Sequence, residues 1–170
     1  MSEQILKALM QLFAIIAHPT SDAKDRRSIV EYFLRRQLNQ ETVKAYLKVF
    51  DDYYQIHQEK LSEKSKRKKR TASSSVRVLK ICTQINEELT QRQKHVVLVQ
   101  LLEFVKSGEE ITEQEMAFVT TVADSFHIPQ QEYQEIEDYV FFGSDKTPDT
   151  NKLLIIDNNK NFKHERVFHT

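Results

Sequence analysis

The 170-residue sequence is poor in residues that break helices or cross-link a chain: it has two glycines, three prolines, one cysteine and no tryptophan. An all-β protein needs many turns, so this composition favours helices. A single cysteine excludes an internal disulfide. The two glycines, Gly108 and Gly143, are too far apart to form a phosphate-binding loop, which needs several closely spaced glycines.

An excess of charge of one sign is also lacking, since 25 basic residues balance 25 acidic ones. Nothing in the overall charge therefore favours nucleic acid as a partner. The apolar runs span about ten residues, fewer than the ~20 that a membrane-spanning helix needs. The first residues, Met1 to Gln4, lack the basic and apolar features of a signal peptide. We expect the protein to be cytoplasmic; the alternative is a cytoplasmic protein that lies at the inner face of the cell membrane.

What the sequence does contain is an internal repeat. Two apolar stretches, Leu9–Ile16 and Leu98–Val105, follow the same plan at an offset of 98 − 9 = 89, which places Gln11 at the position of Gln100. Each stretch precedes a polar break and an amphipathic segment, and the apolar positions of these segments also correspond. Ile29, Val30 and Phe33 fall at the positions of Phe118, Val119 and Val122. The repeat predicts an all-α unit folded in two similar halves.

Apolar spacing and capping residues predict about seven helices. We expect the first over residues 3–17, the second to end near Leu38, the third to end near residue 60 and the fourth to begin at Ser75. Thr90 is expected to cap the fifth helix, and Thr112 and Glu115 form a capping box for the sixth. Pro129 suits the first position of the seventh helix, which is expected to end near Phe142.

Two segments depart from the helical pattern. Residues 62–75 are basic and then serine-rich, without apolar periodicity, so we expect a linker or loop inside a domain that spans residues 1–142. After a turn-rich linker over residues 143–151, Lys152–Asp157 has the pattern of a strand. A strand needs a partner, so residues 152–170 are expected to be the start of a following β domain or a tail.

The repeated plan resembles the tellurite-resistance TerB family of all-helical domains over about residues 4–142. That family carries a pattern close to Ala-Asp-Gly-x-Ile-x-x-x-Glu between the first two helices of each half. Ser107–Glu115 is similar to it, whereas Ala17–Asp25 lacks the Asp-Gly pair. More narrowly, the basic insert, the phrase Ile85–Gln93 and the final strand resemble the amino-terminal region of bacteroidetes ABC-transporter-type ATP-binding proteins.

This resemblance implies a divalent cation as a candidate ligand, because acidic residues occupy the breaks between helices in the family. The candidate ligands are Asp22, Asp25, Glu109, Glu110 and Glu115. Carboxylates at helix starts are also ordinary capping and dipole partners. Because both halves lack the motif aspartate, we expect no cofactor and keep a cation as the alternative.

The basic run is a candidate for binding an anionic membrane surface or an acidic partner. It consists of Lys64, Lys66, Arg67, Lys68, Lys69 and Arg70. A solvated insert is the simpler interpretation. No aromatic residue lies among these charges to stack on bases, which argues against nucleic acid.

No residue pattern indicates catalysis. Cys82 lies on the apolar face of the fourth helix and is expected in the core. The aromatic residues Tyr53, Tyr54, Tyr139, Phe141 and Phe142 are expected to pack in the core or at a domain interface. We therefore expect a non-catalytic regulatory or interaction module whose partner is another protein, or the ATPase and membrane domains of the same polypeptide. The alternative is a stand-alone cation-binding stress-response protein.

Overall fold

A computed structural model describes residues 1–17, 23–61, 67–108 and 110–143 of the chain. These residues form seven helices, and the predicted all-α fold is confirmed. The helices are α1 (Glu3–Ile16), α2 (Ala23–Arg35), α3 (Gln40–Leu61), α4 (Arg67–Glu88), α5 (Gln91–Lys106), α6 (Glu113–Ser125) and α7 (Gln130–Phe142). The predicted strand at Lys152–Asp157 and the linker before it lie outside the described residues.

The two apolar stretches of the sequence form the inner helices of the fold. Ten of the fourteen residues of α1 and nine of the sixteen residues of α5 are buried. α1 packs mainly against α3 and α4, and α5 packs against α2, α6 and α7. A helix that is apolar on most sides must be covered on most sides, and this arrangement covers both.

Several apolar positions related by the 89-residue offset are buried in both halves. Leu9 and Leu98 are both fully buried, and so are Val30 and Val119. Further buried pairs at this offset are Leu12 with Leu101, Phe13 with Leu102, and Phe33 with Val122. The repeat in the sequence therefore corresponds to a repeat in the core.

Four phenylalanine rings join the halves at the centre. Phe13 of α1 meets Phe104 of α5 edge to face, with ring centroids 5.3 Å apart. Phe33 lies 5.9 Å from Phe13, and Phe50 lies 6.1 Å from Phe104. Edge-to-face contacts of this kind add to the stabilisation from burial alone.

The main departure from the predicted helices is the start of α4. This helix begins at Arg67 rather than at Ser75, so the end of the supposed linker is helical. Lysine, arginine and alanine have high intrinsic helix propensity, which does not depend on an apolar face. Apolar periodicity alone predicts a loop here, because it is silent for a helical turn that contains no apolar residue.

Candidate functional site

A buried ion pair joins the polar breaks of the two halves. Arg26 lies in the second turn of α2 and Glu115 in the first turn of α6, and both side chains are fully enclosed. Arg26 Nη2 donates to both carboxylate oxygens of Glu115, at 2.9 and 3.1 Å. Glu115 is placed there by its helix cap, since its backbone N–H donates to Thr112 Oγ1 at 3.2 Å. Thr112 is thus confirmed as the helix cap, whereas the carboxylate of Glu115, which the predicted capping box would direct to the Thr112 N–H, accepts from Arg26.

The guanidinium of Arg26 fits into a space made by two residues of the second half. Its Cζ atom lies 5.3 Å from the centre of the Phe104 ring, within reach of a cation–π interaction. On another side is Gly108, where an added Cβ would lie 2.1 Å from Nη2 and 2.8 Å from Cζ. Only glycine leaves room for the guanidinium at this position.

Burial of the ion pair costs free energy, and removal of one partner costs more. Arg26 Nε and Nη1 are buried and meet no acceptor among the described residues. Two charges removed from water gain little net free energy from each other, but the loss of one partner leaves the other buried and unpaired. Loss of either partner is therefore expected to be strongly destabilising.

Arg26 and Glu115 occupy equivalent positions of the repeat, because 115 − 26 = 89. The same position carries a cation in one half and an anion in the other, and the two side chains meet. Sequence reasoning proposed Glu115 as a ligand but missed Arg26, since it treated charged residues of amphipathic helices as exposed. The signal that identifies Arg26 is the offset itself.

The other acidic candidates have different surroundings. Asp25 is exposed in the first turn of α2, and Glu110 is exposed before α6. Asp22 and Glu109 lie outside the described residues. Within the described ranges, no three His, Cys, Asp or Glu side chains come together as a metal site. A cation at Glu115 would have to compete with Arg26 for the same carboxylate oxygens.

The basic candidates divide between two parts of the chain. Lys64 and Lys66 lie outside the described residues, whereas Arg67–Arg70 form the first turn of α4.

Farther along α4, Cys82 is buried as predicted. Burial raises the pKa of the Cys82 thiol to about 12, so the thiol stays protonated at neutral pH. A protonated, enclosed thiol is a poor nucleophile.

α7 is attached to α5 by polar contacts. His95 Nδ1 lies 2.8 Å from the Gln91 carbonyl oxygen, and its Nε2 lies 3.1 Å from Glu132 Oε2. Lys106 Nζ donates to the Val140 carbonyl oxygen at 2.8 Å. These bonds hold both ends of α7 against the core.

The predicted aromatic group splits into covered and exposed members. Tyr53, Tyr54 and Phe141 pack against the core. Tyr139 and Phe142 are more exposed, with 48% and 60% of their surfaces accessible. The first three therefore follow the core alternative of the prediction, and the last two form an aromatic patch at the end of α7.

An open groove of ≈ 450 Å³ lies between α1 and α3. Glu3, Lys7 and Glu41 line it together with Tyr46. Burial raises the pKa of the Tyr46 hydroxyl, and Glu3 raises it further. Because its walls carry both signs of charge, the groove does not favour an ion of one sign.

The sequence matches the family model of the tellurite resistance protein TerB over residues 7–138. No curated protein and no solved structure matches the chain. No helix among the described residues is long and apolar enough to span a bilayer. Since the matched range covers most of the sequence, the chain belongs to the TerB family.

Proposed function

We propose that this TerB-family chain is a non-catalytic accessory module on the cytoplasmic side of a membrane-associated assembly. In this proposal it is the amino-terminal region of a larger ABC-transporter-type ATP-binding protein and regulates the domains that follow it. The observation that carries the proposal is the aromatic patch of Tyr139 and Phe142 at the end of α7.

The patch lies on a helix whose other side is already covered. Tyr133, Ile136 and Val140 are buried in the core, whereas Tyr139 and Phe142, three residues apart, face outward. Aromatic side chains in such exposed pairs are typical of protein contacts. The bonds from His95 and Lys106 keep α7 in place, so the patch is a fixed surface and can bind without first becoming ordered.

The geometry at Gly143 favours the following part of the same polypeptide as the occupant. Gly143 ends α7 with a φ of 68°, a conformation that suits glycine, and its N–H donates to the Tyr139 carbonyl oxygen. The chain therefore leaves the helix beside the patch. A domain joined by a short linker meets such a surface at a high effective concentration.

The test uses the full polypeptide that the gene encodes. We expect the reading frame to continue past Thr170 into an ATPase domain and membrane helices. In that protein, the double substitution Tyr139→Ser/Phe142→Ser should increase amide hydrogen exchange in the last turn of α7 and change the rate of ATP hydrolysis. The matched control, Ile56→Ser/Ile111→Ser, also removes two exposed apolar side chains and should change neither.

A reading frame that stops after Thr170, or an ATPase rate that is the same in all three proteins, would overturn the proposal. The cation-binding alternative predicts something different: millimolar Ca²⁺ or Mg²⁺ should raise the melting temperature of the chain, since a ligand that binds the native state stabilises it. The accessory module is expected to show no such rise.

A further inference from the structure

The amino-terminal part of α4 has a different charge from the rest of the surface. No acidic residue occurs from Arg67 to Asn86, and Glu87 is the first. Over the same range the sequence carries the basic residues Arg67, Lys68, Lys69, Arg70, Arg77 and Lys80. The chain as a whole is neutral, so this positive charge is local and is balanced elsewhere.

An exposed aliphatic pair lies among these charges. Val76 and Leu79, three residues apart on α4, expose 52% and 47% of their surfaces. Lys80 is exposed beside them and Arg77 is half-buried. Among the residues that the structure describes, neither Arg77 nor Lys80 has an ion-pair partner. The charges of Arg77 and Lys80 are therefore available to a ligand.

The helical start of α4 places position 69 of the basic run in register with this pair. Position 69 precedes Val76 by seven residues, and position 72 precedes Leu79 by seven, which is about two helical turns. These positions therefore lie on the same side of α4 as the aliphatic pair. The opposite side carries Val78, Ile81 and Cys82, which are buried in the core.

We propose that this strip, residues 67–80 of α4, binds the surface of an anionic membrane. The basic groups attract lipid phosphates, and Val76 and Leu79 enter the boundary between headgroups and acyl chains. The inference stands apart from the proposed function, because it concerns a different helix and needs no following domain.

The chemistry of the strip fits a lipid surface better than the other polyanions. A nucleic-acid surface would use aromatic residues for stacking, and α4 contains none. A combination of basic residues with exposed aliphatic side chains on one side of a helix is typical of interfacial binding. Each basic residue that comes near an anionic bilayer contributes about fivefold to the partition coefficient.

The carboxyl-terminal end of α4 limits which part of the helix can contact the membrane surface. Glu88 is bound to Ser2, whose N–H and hydroxyl donate to its carboxylate oxygens at 3.2 and 2.8 Å. With Glu87 beside it, this end of the helix is acidic and tied to α1. Contact with an anionic surface is therefore confined to the amino-terminal part of α4.

The test is co-sedimentation of the full chain with vesicles. We expect binding to vesicles of phosphatidylcholine with about one-fifth phosphatidylglycerol and none to phosphatidylcholine alone. Binding should fall steeply between ~50 and ~500 mM salt, because exposed charges are screened over that range.

Two variants distinguish the contribution of charge to vesicle binding from the contribution of apolar contact. Arg77→Glu/Lys80→Glu should lower the partition coefficient by more than about tenfold. Val76→Ser/Leu79→Ser should lower it by several-fold without changing its salt dependence. The matched charge control, Lys7→Glu/Lys44→Glu, makes the same change in net charge on exposed residues of α1 and α3 and should bind as the wild type does. Circular dichroism of each variant shows whether it is folded.

Three results would overturn the inference. They are equal binding to neutral and anionic vesicles, equal loss in the charge control and in Arg77→Glu/Lys80→Glu, and the absence of vesicle binding at ~50 mM salt. Retention on immobilised polyglutamate without vesicle binding would assign the strip to an acidic protein instead.

Discussion

The first half of the repeat, α1 to α3, and the second half, α5 to α7, share several buried positions in their first two helices but differ in the polar contacts between their helices. In the second half, His95 and Lys106 of α5 bind α7 by polar bonds. The equivalent positions of the first half are Leu6 in α1 and Ala17 directly after it, since 95 − 89 = 6 and 106 − 89 = 17, and both are buried apolar residues.

The same difference appears where the halves meet. Phe104 and Gly108 of the second half form the space for Arg26, and the equivalent positions in the sequence are Ile15 and Pro19. Neither an isoleucine nor a proline reproduces an aromatic face beside a residue without a side chain. A repeat can thus keep its apolar plan while its copies differ in their polar contacts, since the first half is joined instead by Arg27 of α2, which donates to Asp51 of α3.

Of the substitutions that test this comparison, Glu115→Ala is expected to have the largest effect on the free energy of unfolding. It leaves the Arg26 guanidinium buried without its carboxylate and should lower the free energy of unfolding by about 3–5 kcal/mol, measured by urea denaturation. Arg26→Met/Glu115→Leu removes both charges and should restore most of this loss. If the double variant were as unstable as Glu115→Ala, the pair would not be the cause.

A smaller loss is expected from Gly108→Ala, which tests whether the second half is shaped around Arg26. The new Cβ would overlap the guanidinium, and we expect a loss of about 1–3 kcal/mol in the free energy of unfolding. In an Arg26→Ala background the overlap is gone, so the same substitution should cost much less. Equal costs in the two backgrounds would show that Gly108 is needed for some other reason.

The smallest effect is expected from His95→Leu, which gives the second half the residue type that the first half has at this position. Loss of the bonds to the Gln91 carbonyl and Glu132 should cost about 1 kcal/mol, since Glu132 can turn to water. Hydrogen exchange should increase in α7 and stay unchanged in α3. A parallel increase in α3 would mean that the whole fold, and not the attachment of α7, had been weakened.

Much of the fold could be predicted from the sequence, because apolar spacing reports directly which side of each helix is covered. Val30, Phe33, Val119 and Val122 were placed on corresponding apolar faces, and all are buried. The start of α4 could not be found this way, since the turn at Arg67–Arg70 has helix propensity without apolar periodicity.

The buried ion pair escaped prediction for a different reason. A charged residue is almost never fully buried unless it is paired, and pairing depends on which helices become neighbours. The sequence around Arg26 shows an ordinary amphipathic helix. Only the contact between α2 and α5 places this residue beside Phe104.

The bond between Ser2 and Glu88 has a practical consequence for labelling the molecule. It fixes the start of the chain at the carboxyl-terminal end of α4, and at ~1.5 Å per residue the other end of that helix is about 30 Å away. A fluorophore or affinity tag attached before Ser2 would therefore report on or immobilise the protein at a site remote from Arg67. An amino-terminal tether leaves the strip free to meet a vesicle in the same experiment.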